Sequence, residues 1–208
     1  MTQRPDETTA TASGGTTFKP HSEGTFAMRN VDVVNMGCKI DQYPGKPPKE
    51  SPKVTLVFAS GECNEDGSLI IVSSEMTNSM FDTANLRQFL ESWRGKSYTP
   101  EQADAGVPLH KLHGHPALIT IEHVRTKRDR LFANIRAVSP LPAGMAIPDK
   151  KLLDEYVRPD FLEERKKYYA DEVEKYRASV HRDAPKQTET LVEDDEPDDD
   201  LPFFFWAA

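Results

Sequence analysis

The sequence predicts a mainly-β domain with helices: five strands closing into a barrel, then a helical extension and an acidic tail. Three observations predict it. Five strand-length runs rich in β-branched and aromatic residues are separated by turn formers. The one clear helical period before residue 150 falls between the third and fourth runs. Charge is segregated: residues 187–208 hold eight carboxylates and no Lys or Arg, which leaves 26 acidic against 26 basic residues in 1–186 of a chain whose net charge is −8. A block of that kind behaves as an interaction tail around a neutral body.

Taken in order, residues 1–24 are Thr, Ser, Gly and charge, and read as a disordered N-terminal arm. A first strand is expected at 31–36. A lysine-rich loop follows over 39–53, containing Tyr-Pro-Gly-Lys-Pro-Pro-Lys at 43–49. Strands are expected at 54–59 and 68–73, joined by a Gly-Glu-Cys-Asn-Glu-Asp-Gly hairpin connection. Residues 81–95 place Leu86, Phe89, Leu90 and Trp93 on one helical stripe, with Asp82 or Thr83 to cap its start and Gly95 its end. A polar connection leads to strands at 117–124 and 131–138, closed by Pro140 and Pro142, which supply no ladder donors. Three strands, a helix, then two strands is the element order of the five-stranded OB barrel, expected here over 25–148.

A helical extension is expected over 149–182, broken by Pro159. Its Phe161, Leu162, Tyr168, Tyr169, Val173 and Tyr176 leave two arrangements open, docking on the chain's own barrel or on another subunit of a homo-oligomer. Residues 183–208 are the predicted disordered tail.

Several function classes find no support. No apolar stretch is long enough for a bilayer span, and the N-terminus has no signal-peptide core. Two cysteines, Cys38 and Cys63, make no disulfide framework, so a reducing, cytoplasmic setting is the simplest expectation. His110, His113 and His115 with a cysteine could compose a zinc site, but without CxxC or HExxH they read as loop residues, and no metal or cofactor is expected. No nucleophile elbow, phosphate-binding loop or dinucleotide loop occurs, so no enzyme is expected.

The cations and aromatics suit a single nucleic-acid strand, which needs positive charge along its phosphates and flat faces for its bases. Each stacked base is worth roughly 1–3 kcal/mol. The turn between the last two strands gathers Arg125, Lys127, Arg128 and Arg130, with Phe132 and Arg136 beyond it. The loop between the first two holds Lys39, Tyr43, Lys46, Lys49 and Lys53. These are the two loops with which an OB barrel grips an oligonucleotide; the plain alternative is a pair of solvated turns. Arg87, Arg94 and Lys96 flank the helix stripe and either reach phosphates or are solvated, while Phe58, Phe89 and Trp93 read as core.

The tail carries the most specific signal. Asp198, Asp199, Asp200, Leu201, Pro202 and Phe203 resemble the C-terminal tip of bacterial single-stranded-DNA-binding proteins, differing chiefly by Leu for Ile. The run at 85–96, followed by Tyr-Thr-Pro-Glu-Gln-Ala at 98–103, resembles phage and prophage proteins assigned as OB-fold single-stranded-DNA-binding proteins, a resemblance over about 18–145. It implies sequence-independent strand binding in phage DNA replication, recombination or repair inside an infected bacterial host. The tip is then implied to recruit replication and repair proteins and to compete with DNA. One departure stands out. Phe204, Phe205 and Trp206 follow where the bacterial tip ends, so the terminal carboxylate is displaced; the added aromatics are an anchor or an incidental terminus. The alternative reading is a protein-interaction adaptor or inhibitor that imitates the tail to capture host enzymes.

Overall fold

The computed structural model describes residues 20–125 and 131–183, with side chains to 180. The acidic tail and nearly all of the N-terminal arm lie outside these residues. Five antiparallel strands form one sheet in the order β3-β2-β1-β4-β5. They are β1 (Gly24–Asp41), β2 (Lys49–Cys63), β3 (Leu69–Thr77), β4 (Pro116–Arg125) and β5 (Leu131–Ser139). The three-strand, helix, two-strand order is as expected.

β1 is the spine. Its first half pairs with β4, from Gly24 opposite Ile121 to Arg29 opposite Pro116. From Arg29 onward it pairs with β2, ending with Asp41 opposite Lys49. Register shifts at Asn30/Asp32 and Asn35/Gly37 interrupt the second half. Each bulge resets the alternation of faces: Met28 and Val33 pack on one side, Val31, Val34 and Met36 on the other.

The sheet therefore buries two faces. On the inner one, Val54, Leu56 and Phe58 alternate along β2 and meet Val72, Met76, Ile119 and Ile121. Over them lies α1 (Asn85–Arg94), burying Leu86, Leu90 and Trp93. Phe58 and Trp93 stack edge-to-face at 5.2 Å, with Phe89 completing the cluster, and the Trp93 indole N–H donates to the Pro116 carbonyl at 2.9 Å. Each large side chain so buried contributes about 1.5–3 kcal/mol. α1 touches both edge strands, β3 and β5.

The helix starts later than its expected caps. Ala84 holds the N-cap position without a side-chain cap bond, because Asp82 pairs with Arg87 instead. Gly95 ends it in the left-handed region, as the C-cap reading required. The expected polar connection contains two short elements, α2 (Pro100–Asp104) and a 3₁₀ turn (Leu109–Leu112). A capping box between Thr99 and Gln102, with Pro100 at the first helical position, sets α2.

The outer face of β1, β2 and β3 is covered by α3 (Lys151–Glu155) and α4 (Asp160–Asp183). Pro159 separates them, as expected. Leu162, Tyr169 and Val173 are buried on α4, and Leu162 and Tyr169 join Val31, Val34, Met36, Val57 and Ala59 in a second core. The extension thus docks on its own sheet, while Phe161 and Tyr168 face solvent. Buried Arg29 ties the incoming linker down, donating to the carbonyls of Pro148 and Gly114. No helix among the described residues is long and apolar enough to cross a membrane.

Candidate nucleic-acid interface

The β4–β5 hairpin runs past the body of the sheet. β1 begins opposite Ile121, so the last ladder pairs of β4 and β5, Val124 opposite Phe132 and Arg125 opposite Leu131, lie beyond the β1–β4 register. Alternation from the inward Ile119 and Ile121 sends Glu122, Val124 and the facing Phe132 outward. Phe132 is 43% exposed and Val124 44%. Arg125 is exposed at the end of β4; Lys127, Arg128 and Arg130 lie outside the described residues. Arg136 is exposed and donates to Glu122 at 2.8 Å. The hairpin thus presents apolar and aromatic surface flanked by charge.

The β1–β2 hairpin lies at the other end of β1. Its tip is residues 42–48, shorter than the loop expected over 39–53, because Lys39, Lys49 and Lys53 are in the ladder. Tyr43 is 59% exposed, and Lys46 and Lys49 are exposed with it. The two hairpins are therefore not brought together at one end of the sheet; they bracket it.

Several expected DNA contacts are engaged within the protein. Lys53 is buried, its ammonium 2.6 Å from Asp41 and 3.0 Å from the Thr77 hydroxyl. Burial opposes ionisation of Asp41, yet the bonds from Lys53 and Ser51 prevail and hold its carboxyl below the usual range. Arg87 donates to Glu91, Asp82 and the carbonyls of Met80 and Tyr98, so it braces α1 against the loops at both its ends. The Tyr98 backbone N–H and Arg87 in turn depress the Glu91 carboxyl. Lys39 lies 5.4 Å over the Tyr169 ring, facing α4. Arg94 stacks on Tyr98 at 4.9 Å and Lys96 is exposed.

The spacing of the sequence missed two features. Val124 is an outward apolar residue whose only signal was the alternation of β4. Lys111 and His115 join Arg94, Tyr98 and Trp93 around a cleft of about 440 Å³; these residues come from separate elements, and no local motif marks them. The tail residues Asp198, Asp199, Asp200, Leu201, Pro202, Phe203, Phe204, Phe205 and Trp206 lie outside the described residues. Cys38 and Cys63 are unpaired. Among the described residues no group of His, Cys, Asp and Glu is placed to hold a metal ion.

Fold and surface define a mainly-β protein with an open five-stranded antiparallel sheet, an inner helix and a covered outer face. No protein-family model matches the chain, and no curated protein matches it.

Proposed function

We propose that the chain binds single-stranded DNA without sequence preference, on a barrel of the OB type, and that its acidic tail recruits replication, recombination or repair proteins and competes with the strand. The observation that carries this reading is the β4–β5 hairpin, where exposed Phe132 and Val124 accompany exposed Arg125, with Lys127, Arg128 and Arg130 following in the sequence. A stacking face beside phosphate-binding charge is what a sequence-tolerant strand binder needs. The strand order, with α1 touching both edge strands, supports the barrel reading. Tyr43, Lys46 and Lys49 supply a second contact at the far hairpin, with Arg94 and Lys96 beside α1.

The adaptor reading draws on one observation: Lys53, Arg87 and Lys39 are engaged internally, which thins the cationic surface. Anisotropy titrations of labelled oligo-dT and of a duplex, at low and moderate salt, separate the two. Strand binding predicts preference for oligo-dT, with affinity falling as salt rises in proportion to the phosphates contacted. Absence of oligo-dT binding, or equal affinity for duplex, removes the reading and leaves tail-mediated protein capture.

A further inference from the structure

The outer face of β2 and β3 is where an OB barrel meets an oligonucleotide, and here the chain's own α4, seated closest to β1, reaches over it with the side chains of Leu162 and Tyr169. On β2, Ser51, Lys53, Thr55, Val57 and Ala59 point to that side and all are buried. What lies beneath α4 is mixed. Toward Arg158 it is apolar, with Val31, Val34 and Val57 under Leu162. Toward the β1–β2 hairpin it turns polar, with Lys39, Lys53, Thr55 and Glu75.

That second half is not a finished core. The Thr55 hydroxyl is buried without a hydrogen-bond partner; one buried Glu75 carboxylate oxygen lacks one too, with the Arg165 guanidinium of α4 standing 3.6 Å from it as an ion pair. Buried polar groups are ordinarily satisfied, and those left unpaired weaken the contact that buries them. The helix is held there largely by side-chain ends: the Tyr169 hydroxyl donates to Glu75 at 2.8 Å, the Tyr176 hydroxyl to the Pro48 carbonyl at 3.0 Å, and Arg177 to Glu50 at 2.6 and 2.8 Å. Tyr176 and Arg177 also bring α4 against the base of the hairpin tip that carries Tyr43, Lys46 and Lys49.

We propose that α4 is a displaceable occupant of the strand-binding face: its C-terminal half lifts from β1–β3 when single-stranded DNA binds, and Lys39, Thr55 and the hairpin lysines then meet the strand. This rests on the DNA-binding reading and adds to it a second contact surface and the element that controls it. A site open only part of the time shows an affinity reduced by the open fraction. Loosening the helix therefore tightens strand binding.

The test is hydrogen exchange of the full chain with and without saturating oligo-dT, together with oligo-dT affinities of wild type and of a Val173→Ala, Arg177→Gln variant. Oligo-dT is expected to speed exchange of amides in 165–180 while those of α1 and β2 stay protected. The variant is expected to bind about threefold tighter or more, as a larger open fraction requires. If wild type binds oligo-dT and the α4 amides keep or gain protection, the proposal is overturned and the DNA-binding reading survives. If wild type and variant both fail to bind, the functional reading falls and takes the proposal with it. Should the variant misfold, lost protection across β2 reveals it, and the wild-type exchange decides alone.

Discussion

Replacing Lys53 with Met separates a structural lysine from a DNA contact. The Lys53 ammonium sits 2.6 Å from Asp41, with side-chain exposures of 10% and 13%. Methionine keeps the stem and leaves the carboxylate of Asp41 largely buried without its cation. Breaking a fully buried pair costs about 3–5 kcal/mol; the residual exposure and the Ser51 bond to Asp41 bring the expected loss to about 2–3 kcal/mol. In urea, a slope of about 2 kcal/mol per molar makes this a midpoint drop of roughly 1–1.5 M. The pH dependence supplies a second check. The Asp41 pKa is lowered by folding, so its contribution is fully present above the unfolded value of about 3.9 and is lost as pH falls through the folded value. The gap between wild type and variant should therefore narrow as pH drops below about 4. Adding Asp41→Asn to the variant should recover about half the loss, because the uncompensated charge is gone. A loss below about 0.5 kcal/mol at pH 7, or a gap unchanged in acid, would refute the reasoning.

Phe132→Ala should leave thermal stability within a few degrees of wild type and weaken oligo-dT binding about five- to 150-fold, as loss of one stacked base requires; calorimetry and anisotropy read the two. Gly95→Ala should destabilise by at least about 1 kcal/mol, because φ is +68° and an added Cβ would stand 2.8 Å from Pro140 Cγ; urea unfolding reads it. Phe58→Ala removes the most enclosed ring of the inner core and should cost about 3–5 kcal/mol, with a loss below 1 kcal/mol contradicting the described packing.

The parts of the fold that were legible obey local rules. β2 shows a β-branched and aromatic run from Val54 to Ala59 with no helical period, α1 shows its stripe, and Pro159 breaks the extension where it stands in the sequence. What escaped depends on distant partners. The first half of β1 becomes a strand through β4, some 90 residues away, and its Thr25-Phe26-Ala27-Met28 run is too short to declare itself. Residues 39–53 read as a loop because they are polar, yet Lys53 and Asp41 neutralise one another and α4 covers that face. α2 has a local signal in its Thr99–Gln102 capping box, but it lies in a connection whose polarity reads as loop. At the candidate site, sequence located the basic hairpins but not their placement at opposite ends of β1, which follows from register alone.

The outer face also bears on how the chain is made. β1, β2 and β3 are neighbours in sequence and can pair as soon as Thr77 has emerged, whereas the helix that shields Val31, Val34, Met36, Val57 and Ala59 ends its buried stripe at Val173. At roughly 5–20 residues per second, synthesis leaves those side chains bare for about 5–20 s. During that interval the nascent meander displays an aliphatic surface beside an unpaired β3 edge, a combination that attracts chaperones and neighbouring chains alike. Until Val173 has been made, that surface lacks the full helix that covers it in the folded chain.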